Sequence, residues 1–216
     1  MIKKDLTHCK DLDEFYREIR ALHIKHHGRS YVDPHDDLME TAKNLDVPMN
    51  EIVYRESGVF QGATVAAMAS IGVKRMQLID VQFRLFNQNK KYFKDCVLNM
   101  HQCSSIKTPI KWKGRVFPTA TKAVLNLPPA NIAYFDAMHV HEFVLEELQT
   151  HAPSVTDYMF IHDTYQMRNK DDKQFHVDKQ LHKAAKIFVE QSNGEWVVNY
   201  YHQVNCGYTK LKRIKS

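Results

Sequence analysis

The sequence predicts an α/β protein built on a doubly wound, mainly parallel sheet. Three observations predict it. Short apolar runs without helical periodicity recur at 52–56, 76–80, 110–113, 132–136 and 157–162, as strands buried on both faces do. Helical patterns lie between them, and alternation of strand with helix implies crossover connections. The ending breaks this rhythm. Runs at 195–201 and 207–213 are strand-like and joined by a short link, which permits an antiparallel pair but no crossover.

Composition is consistent with one ordinary domain. The chain has 216 residues, 44% hydrophobic and 25% charged, enough for a substantial core. No stretch of 18 apolar residues occurs, so no membrane span is expected. The opening Met1-Ile2-Lys3-Lys4-Asp5 lacks the apolar core of a secretory signal. Cys9, Cys96, Cys103 and Cys206 form no CxxC pair and read as reduced thiols, so a cytoplasmic protein is expected. The net charge of +5 owes much to the tail Lys210-Leu211-Lys212-Arg213-Ile214-Lys215. Such a tail is a solvated end or a surface for a polyanion. His26-His27 shows no zinc spacing with the cysteines.

In chain order, Leu12, Phe15, Tyr16, Ile19 and Leu22 recur at three- and four-residue steps and predict a helix over 11–26, stopped at Gly28. It either covers one edge of the core or serves as a lid or dimer element. A second helix follows Pro34, uses Leu38, Ala42 and Leu45, and ends before Pro48. Residues 1–48 thus form an N-terminal helical cap and 49–216 the core of one structural domain. Further helices are expected at 63–71, at 84–101 with Phe86, Phe93, Val97 and Met100 on one face, at 140–149, and around Val177 to Phe188. The stretch 103–109 reads as loop.

The first strand runs into Glu56-Ser57-Gly58-Val59-Phe60-Gln61-Gly62-Ala63-Thr64. A glycine loop between a strand and a helix brings bare backbone against a ligand. Glu56 points to a ligand carrying an ammonium group, because a carboxylate there repels a pyrophosphate. Gly58 allows the chain to turn, and Gly62 and Thr64 offer N–H groups to a ligand carboxylate. Asp80 ends the second run, 24 residues after Glu56, where it can accept both ribose hydroxyls. The plain alternative is a tight strand–helix turn and a helix cap.

Two later runs end in acid and imidazole groups: Phe135-Asp136-Ala137-Met138-His139 and Phe160-Ile161-His162-Asp163-Thr164. The carboxyl ends of parallel strands share one edge, so Asp136, His139, His162 and Asp163 are expected to converge beside Gly58 and Asp80. Two carboxylates there can hold Mg²⁺ or another hard cation, and a histidine can take a proton from a hydroxyl. Helix and turn capping is the alternative for each acid.

These residues resemble class I S-adenosylmethionine-dependent methyltransferases. The likeness is to the branch of sugar and macrolide O-methyltransferases and cephalosporin hydroxylase-like proteins. It covers roughly 52–213 and rests on Glu56 to Gly62, Leu78-Ile79-Asp80, Phe135 to Glu142, Phe160 to Thr164 and Asn205 to Leu211. The resemblance implies a Rossmann-like, seven-stranded sheet whose last strand is antiparallel. It implies that Glu56, Ser57, Gly58, Gln61, Gly62 and Thr64 hold the methionine end of the cofactor and Asp80 the ribose. Gly114 and Arg115 would stand near the adenine at the end of the third strand, and Asp136 would also face the cofactor. By the same likeness, Asp136, Asp163 and His162 are metal ligands and His139 is the general base. Ala137 replaces the usual glycine after the strand acid, and Thr156-Asp157 replaces a glycine pair.

The expected activity is S-adenosylmethionine-dependent methylation of a small-molecule or sugar hydroxyl, assisted by Mg²⁺ or another divalent cation. A nucleic-acid target is a rival reading through the basic tail with Arg75, Lys90 and Lys91, but no aromatic-basic run of a stacking surface occurs. A non-catalytic binding protein on the same scaffold is the third reading. No membrane partner is expected, and both a monomer and a homo-oligomer stay open. The polar loop 165–175 is either a lid over the acceptor or a solvated connection.

Overall fold

The computed structural model describes residues 6–27, 34–112, 115–164, 181–202 and 207–214. Gly28, Gly114, the 165–175 loop, Val177 and Asn205-Cys206, all invoked above, lie outside the described residues.

The main sheet has seven strands: β1 (Val53–Ser57), β2 (Arg75–Asp80), β3 (Val97–Gln102), β6 (Ala130–Phe135), β7 (Val155–His162), β8 (Trp196–His202) and β9 (Tyr208–Arg213). Their spatial order is β3-β2-β1-β6-β7-β9-β8. β1 pairs in parallel with β2 and β6, and β2 with β3, and β6 with β7. β9 is antiparallel to both neighbours, β7 and β8. The final strand therefore inserts between two strands that precede it.

Central strands are buried on both faces, and their alternation sorts side chains into two cores. Tyr54, Ile132, Tyr134 and Phe160 face α1 (Leu12–His27), α3 (Ala63–Ser70) and α4 (Arg84–Asn89), joining Phe15, Ile19, Met68, Phe86 and Phe93. Ala133, Phe135, Met159 and Ile161 face α6 (His141–His151) and α7 (Leu181–Gln191), joining Val144, Leu148, Leu181, Phe188 and Trp196. The stripe expected on the first helix is real: Phe15 and Ile19 are fully buried and Phe15 stacks on Tyr92 at 4.7 Å. α2 (Pro34–Lys43) ends before Leu45, and its Asp37 accepts from Tyr208 Oη at 2.9 Å and Lys210 Nζ at 2.8 Å. This ties the second helix to β9. Among the described residues no helix is long and apolar enough to cross a membrane.

Two expectations fail in one region. The helix expected over 84–101 is α4 followed by a 3-10 turn at Lys90–Phe93, and 97–102 is β3. Val97 and Met100 match helical spacing, but Leu98 and Met100 pack on the core as alternate strand residues while Val97 is 70% exposed at the sheet's edge. The run at 110–113 is not the third strand of the sheet. It begins a separate antiparallel hairpin, β4 (Ile110–Trp112) with β5 (Arg115–Phe117), followed by α5 (Lys122–Leu125). Arg115 therefore opens β5 and ends no strand of the main sheet.

Candidate functional site

β1 ends at Ser57, and the chain must turn at once. Gly58 N–H donates to Ile79 O at 3.0 Å, and Asp136 N–H donates to Ser57 O at 2.9 Å, which draws the ends of β1, β2 and β6 together. Gly58 has φ +86, and a Cβ there would stand 2.4 Å from the Asp136 carbonyl. Only glycine fits, on backbone conformation and on space. Gly62 has φ +85 and precedes α3, and its missing Cβ leaves room for the Phe86 ring, 2.8 Å from where it would be.

A cavity of about 270 Å³ opens at these strand ends. Ser57, Gly58 and Phe60 line it from the glycine loop, Ile79, Asp80, Val81 and Gln82 from the end of β2, and Cys103, Ser104 and Ser105 from the end of β3. Asp136, Ala137, Met138 and Phe143 close the side next to β6. Asp80 is oriented by the backbone: one carboxylate oxygen accepts from Phe60 N–H at 3.2 Å, the other from Gln82 N–H at 3.0 Å. A carboxylate oxygen has capacity beyond one bond, so Asp80 can still accept from a ligand diol.

Of the residues expected at a cofactor, Ser57, Gly58, Asp80 and Asp136 line the cavity. Glu56, Gln61, Gly62 and Thr64 do not. Glu56 lies beneath the loop, 1% exposed, accepting from Tyr54 Oη at 2.7 Å. Burial raises its pKa well above the carboxylate range, opposed by the bonds from Tyr54 and Thr64. Gln61 is buried, and its carbonyl accepts from Asn89 Nδ2 at 3.1 Å. With β3 at 97–102, the third strand's rim is Cys103, Ser104 and Ser105, which sequence reasoning passed over as loop.

One further group was missed. Glu147 on α6 is 1% exposed, and its Oε1 accepts from Ser57 Oγ at 2.5 Å and from Ser105 Oγ. It thus links two cavity-lining hydroxyls from beneath. Burial pushes its pKa up to about 7 despite those two bonds. The signal was present: Glu147 lies on the same helix face as Phe143 and Val144, where a solvated acid does not belong.

The four groups expected to converge do so. Asp136, His139, His162 and Asp163 each offer one ligand atom, all within 4.8 Å of one another. His139 Nε2 stands 2.9 Å from Asp136 Oδ1, and its Nδ1 stands 3.2 Å from Asp163 Oδ2. Both ring nitrogens thus face carboxylates, a geometry that suits the imidazolium. Burial lowers the His139 pKa, but the charge of Asp163 and the bond to Asp136 outweigh it and leave the pKa raised. His162 Nδ1 lies 3.1 Å from Asp136 Oδ1. Burial works to raise the Asp136 pKa, but the charges and hydrogen bonds of His162 and His139 hold it well below the usual range. Asp163 has φ +54, in the left-handed region that an aspartate tolerates only with support from its surroundings. Its Oδ1 is buried with no hydrogen-bond partner. An orphaned carboxylate oxygen beside two imidazoles and a second carboxylate fits a divalent cation.

No family model matches this chain, and no curated protein sequence matches it. Solved structures do. An O-methyltransferase from Bacillus cereus in complex with SAH is similar with TM-score 0.56 and 11% identity, over 99% of this chain and 93% of that one. A Staphylococcus aureus protein provisionally assigned as a caffeoyl-CoA O-methyltransferase gives TM-score 0.60 and 12% identity, over 94% of this chain and 100% of that one. A ribosomal protein L11 methylase from Lactobacillus delbrueckii subsp. bulgaricus gives TM-score 0.53 and 8% identity, over 86% and 81%. The chain has a Rossmann-like fold similar to that of these methyltransferase structures, and its last strand is antiparallel, as expected from the sequence.

Proposed function

We propose that the protein transfers a methyl group from S-adenosylmethionine to a hydroxyl of a small molecule or sugar. One observation carries this reading: Asp136 belongs both to the lining of the cavity and to the acid–imidazole cluster. A cofactor site and a proton-handling site therefore share a wall. Asp80 would take the ribose hydroxyls, Ser57 and Gly58 the methionine end, and Ser104 and Ser105 the adenine edge. Glu56 would act from beneath the loop.

Bound cofactor supplies an electrophilic methyl carbon on a sulfonium, and a bound dication supplies charge that lowers the pKa of a nearby hydroxyl. Asp136, Asp163 and His162 would hold that cation. His139 would accept the hydroxyl proton as the acceptor oxygen bonds the methyl carbon and the sulfur leaves with its electron pair. The chain's largest contribution would be to align oxygen, methyl and sulfur. The carboxylates raise the His139 pKa, and a base must be unprotonated to act. In the cation-free protein His139 is therefore expected to titrate above the ordinary histidine range, which NMR of the imidazole reads directly.

Calorimetric titration with S-adenosylmethionine and S-adenosylhomocysteine, with and without a divalent cation, tests the reading. Binding of both, followed by labelled methyl transfer into a panel of hydroxyl compounds, is the expected result. Failure to bind either compound would end it.

A further inference from the structure

We propose that the rim cluster selects a d-block dication of the manganese-to-zinc series over Mg²⁺, because His162 places an imidazole nitrogen among the carboxylate donors. This builds on the reading above that the rim holds a cation. It changes which cation, against the hard ion that a pair of acids suggested.

The donor set decides the matter. Mg²⁺ prefers oxygen donors and near-ideal octahedral geometry, and it gives up its waters reluctantly. Imidazole suits borderline first-row metals, whose affinity for nitrogen donors climbs toward copper. Here His162 Nδ1 faces Asp136 Oδ1 at 3.1 Å and Asp163 Oδ1 at 3.5 Å. With metal–ligand bonds of about 2.1 Å, neighbouring donors in octahedral or tetrahedral sites stand roughly 3.0–3.4 Å apart. The observed separations lie close to those edges, and a cation would take the place of the proton shared between His162 Nδ1 and Asp136 Oδ1.

The nitrogen is not a chance visitor. His162 is the last residue of β7, paired with Tyr208 of β9 and following Ile161, which pairs with Phe135 of β6. Its backbone is fixed from both sides. Asp163 Oδ1 supplies the second observation: it is buried, makes no hydrogen bond and meets His162 Nδ1 at 3.5 Å. His139 brings a second imidazole to the same space, its Nε2 2.9 Å from Asp136 Oδ1 and its Nδ1 3.2 Å from Asp163 Oδ2.

Competition measured on chelator-stripped full-length protein tests this. Mn²⁺, Co²⁺, Zn²⁺ and Mg²⁺ are titrated separately by calorimetry, then offered at equal concentration with metal content read by mass spectrometry. The d-block ions are expected to bind at least about 10-fold tighter than Mg²⁺. Co²⁺ should acquire visible bands unlike those of the aqueous ion, and His162→Glu, an all-oxygen neighbour to the acids, should shrink the preference. Wild-type affinities for Mg²⁺ equal to the others would overturn the selectivity and leave the cation reading standing. No binding of any dication would overturn both, while the cofactor titration still judges methyl transfer. The wild-type competition decides even if the variant fails to fold.

Discussion

Two polar clusters lie in this sheet, one half-buried at its rim and one fully buried, and they behave differently. One is the rim set of Asp136, His139, His162 and Asp163. The other surrounds Arg55, in the middle of β1. Arg55 is fully buried and has no carboxylate partner among the described residues. Its Nε donates to Gln77 Oε1 at 2.8 Å, Nη1 to Ser154 Oγ at 2.7 Å, and Nη2 to Pro128 O at 2.9 Å. Nη1 also meets His151 Nδ1 at 3.2 Å, while His151 Nε2 meets Ser105 O at 2.9 Å. That pattern defines a neutral imidazole, accepting at one nitrogen and donating at the other. Burial and the Arg55 charge push its pKa down to about 3. Burial likewise lowers Arg55, to about 10.

The difference is in completeness. Arg55 finds an acceptor on nearly every side, so its cluster holds the fold together and has nothing left to offer. The rim cluster contains a buried carboxylate oxygen, Asp163 Oδ1, that makes no hydrogen bond and meets His162 Nδ1 at 3.5 Å. Unsatisfied groups of that kind are tolerated where they serve a ligand. Burial separates the two, and the hydrogen-bond accounting agrees with it.

Breaking each cluster should therefore give opposite results. The largest effect is expected at the rim: His139→Ala should lower methyl transfer by about 10²–10⁴-fold, with cofactor affinity nearly unchanged. Unaltered turnover would remove His139 from the chemistry. At the other cluster, Arg55→Leu strands several buried acceptors and should cost about 3 kcal/mol. In a domain of this size that lowers the melting temperature by roughly 6–12 °C. A variant that melts with the wild type would deny Arg55 its structural role.

Glu147 sharpens the comparison because it sits between the two. Ser105 gives its hydroxyl to Glu147 and its carbonyl to His151. The Glu147 carboxyl ordinarily titrates near 4.5 and in the folded protein near 7. The folded state binds the extra proton between those values, so this group's stabilisation is complete below the lower one and lost as pH rises through the upper. Buried neutral His151 acts in the opposite sense as pH falls, so the two must be separated by difference. Stability of Glu147→Gln minus wild type should climb by at most about 3 kcal/mol from pH 4.5 to pH 7. A flat difference in urea melts across that range would show that Glu147 does not titrate as described. The smallest effect is expected at Asp80→Asn, which keeps acceptor capacity but loses charge. It should weaken binding of S-adenosylhomocysteine about 10-fold, or about 1.4 kcal/mol, and calorimetry showing no loss would place the ribose elsewhere.

The rim was legible in the sequence because it sits where strands stop, and strand ends are marked. Gly58, Asp80, Asp136 and His162-Asp163 each close an apolar run, and a parallel sheet gathers such ends on one edge. The edge strand β3 was not legible. It needs only one covered face, so Val97-Leu98-Asn99-Met100 carries too little apolar character to exclude a helix. Losing β3 put Arg115 in place of the third strand's end and hid Ser104 and Ser105. The Arg55 cluster was hidden for another reason. Its partners come from residues 77, 128, 151 and 154, and no local pattern announces a side-chain network of such long range.

The threading of β9 between β7 and β8 has a consequence for biogenesis. Until residues 208–213 leave the ribosome, β7 has an empty flank, and His162 at its tip lacks the Tyr208 pairing that braces it. The half of the rim contributed by His162 and Asp163 is accordingly the last to be secured. A nascent chain would form the cavity walls at the ends of β1, β2, β3 and β6 before it braced the imidazole–carboxylate pair at the tip of β7.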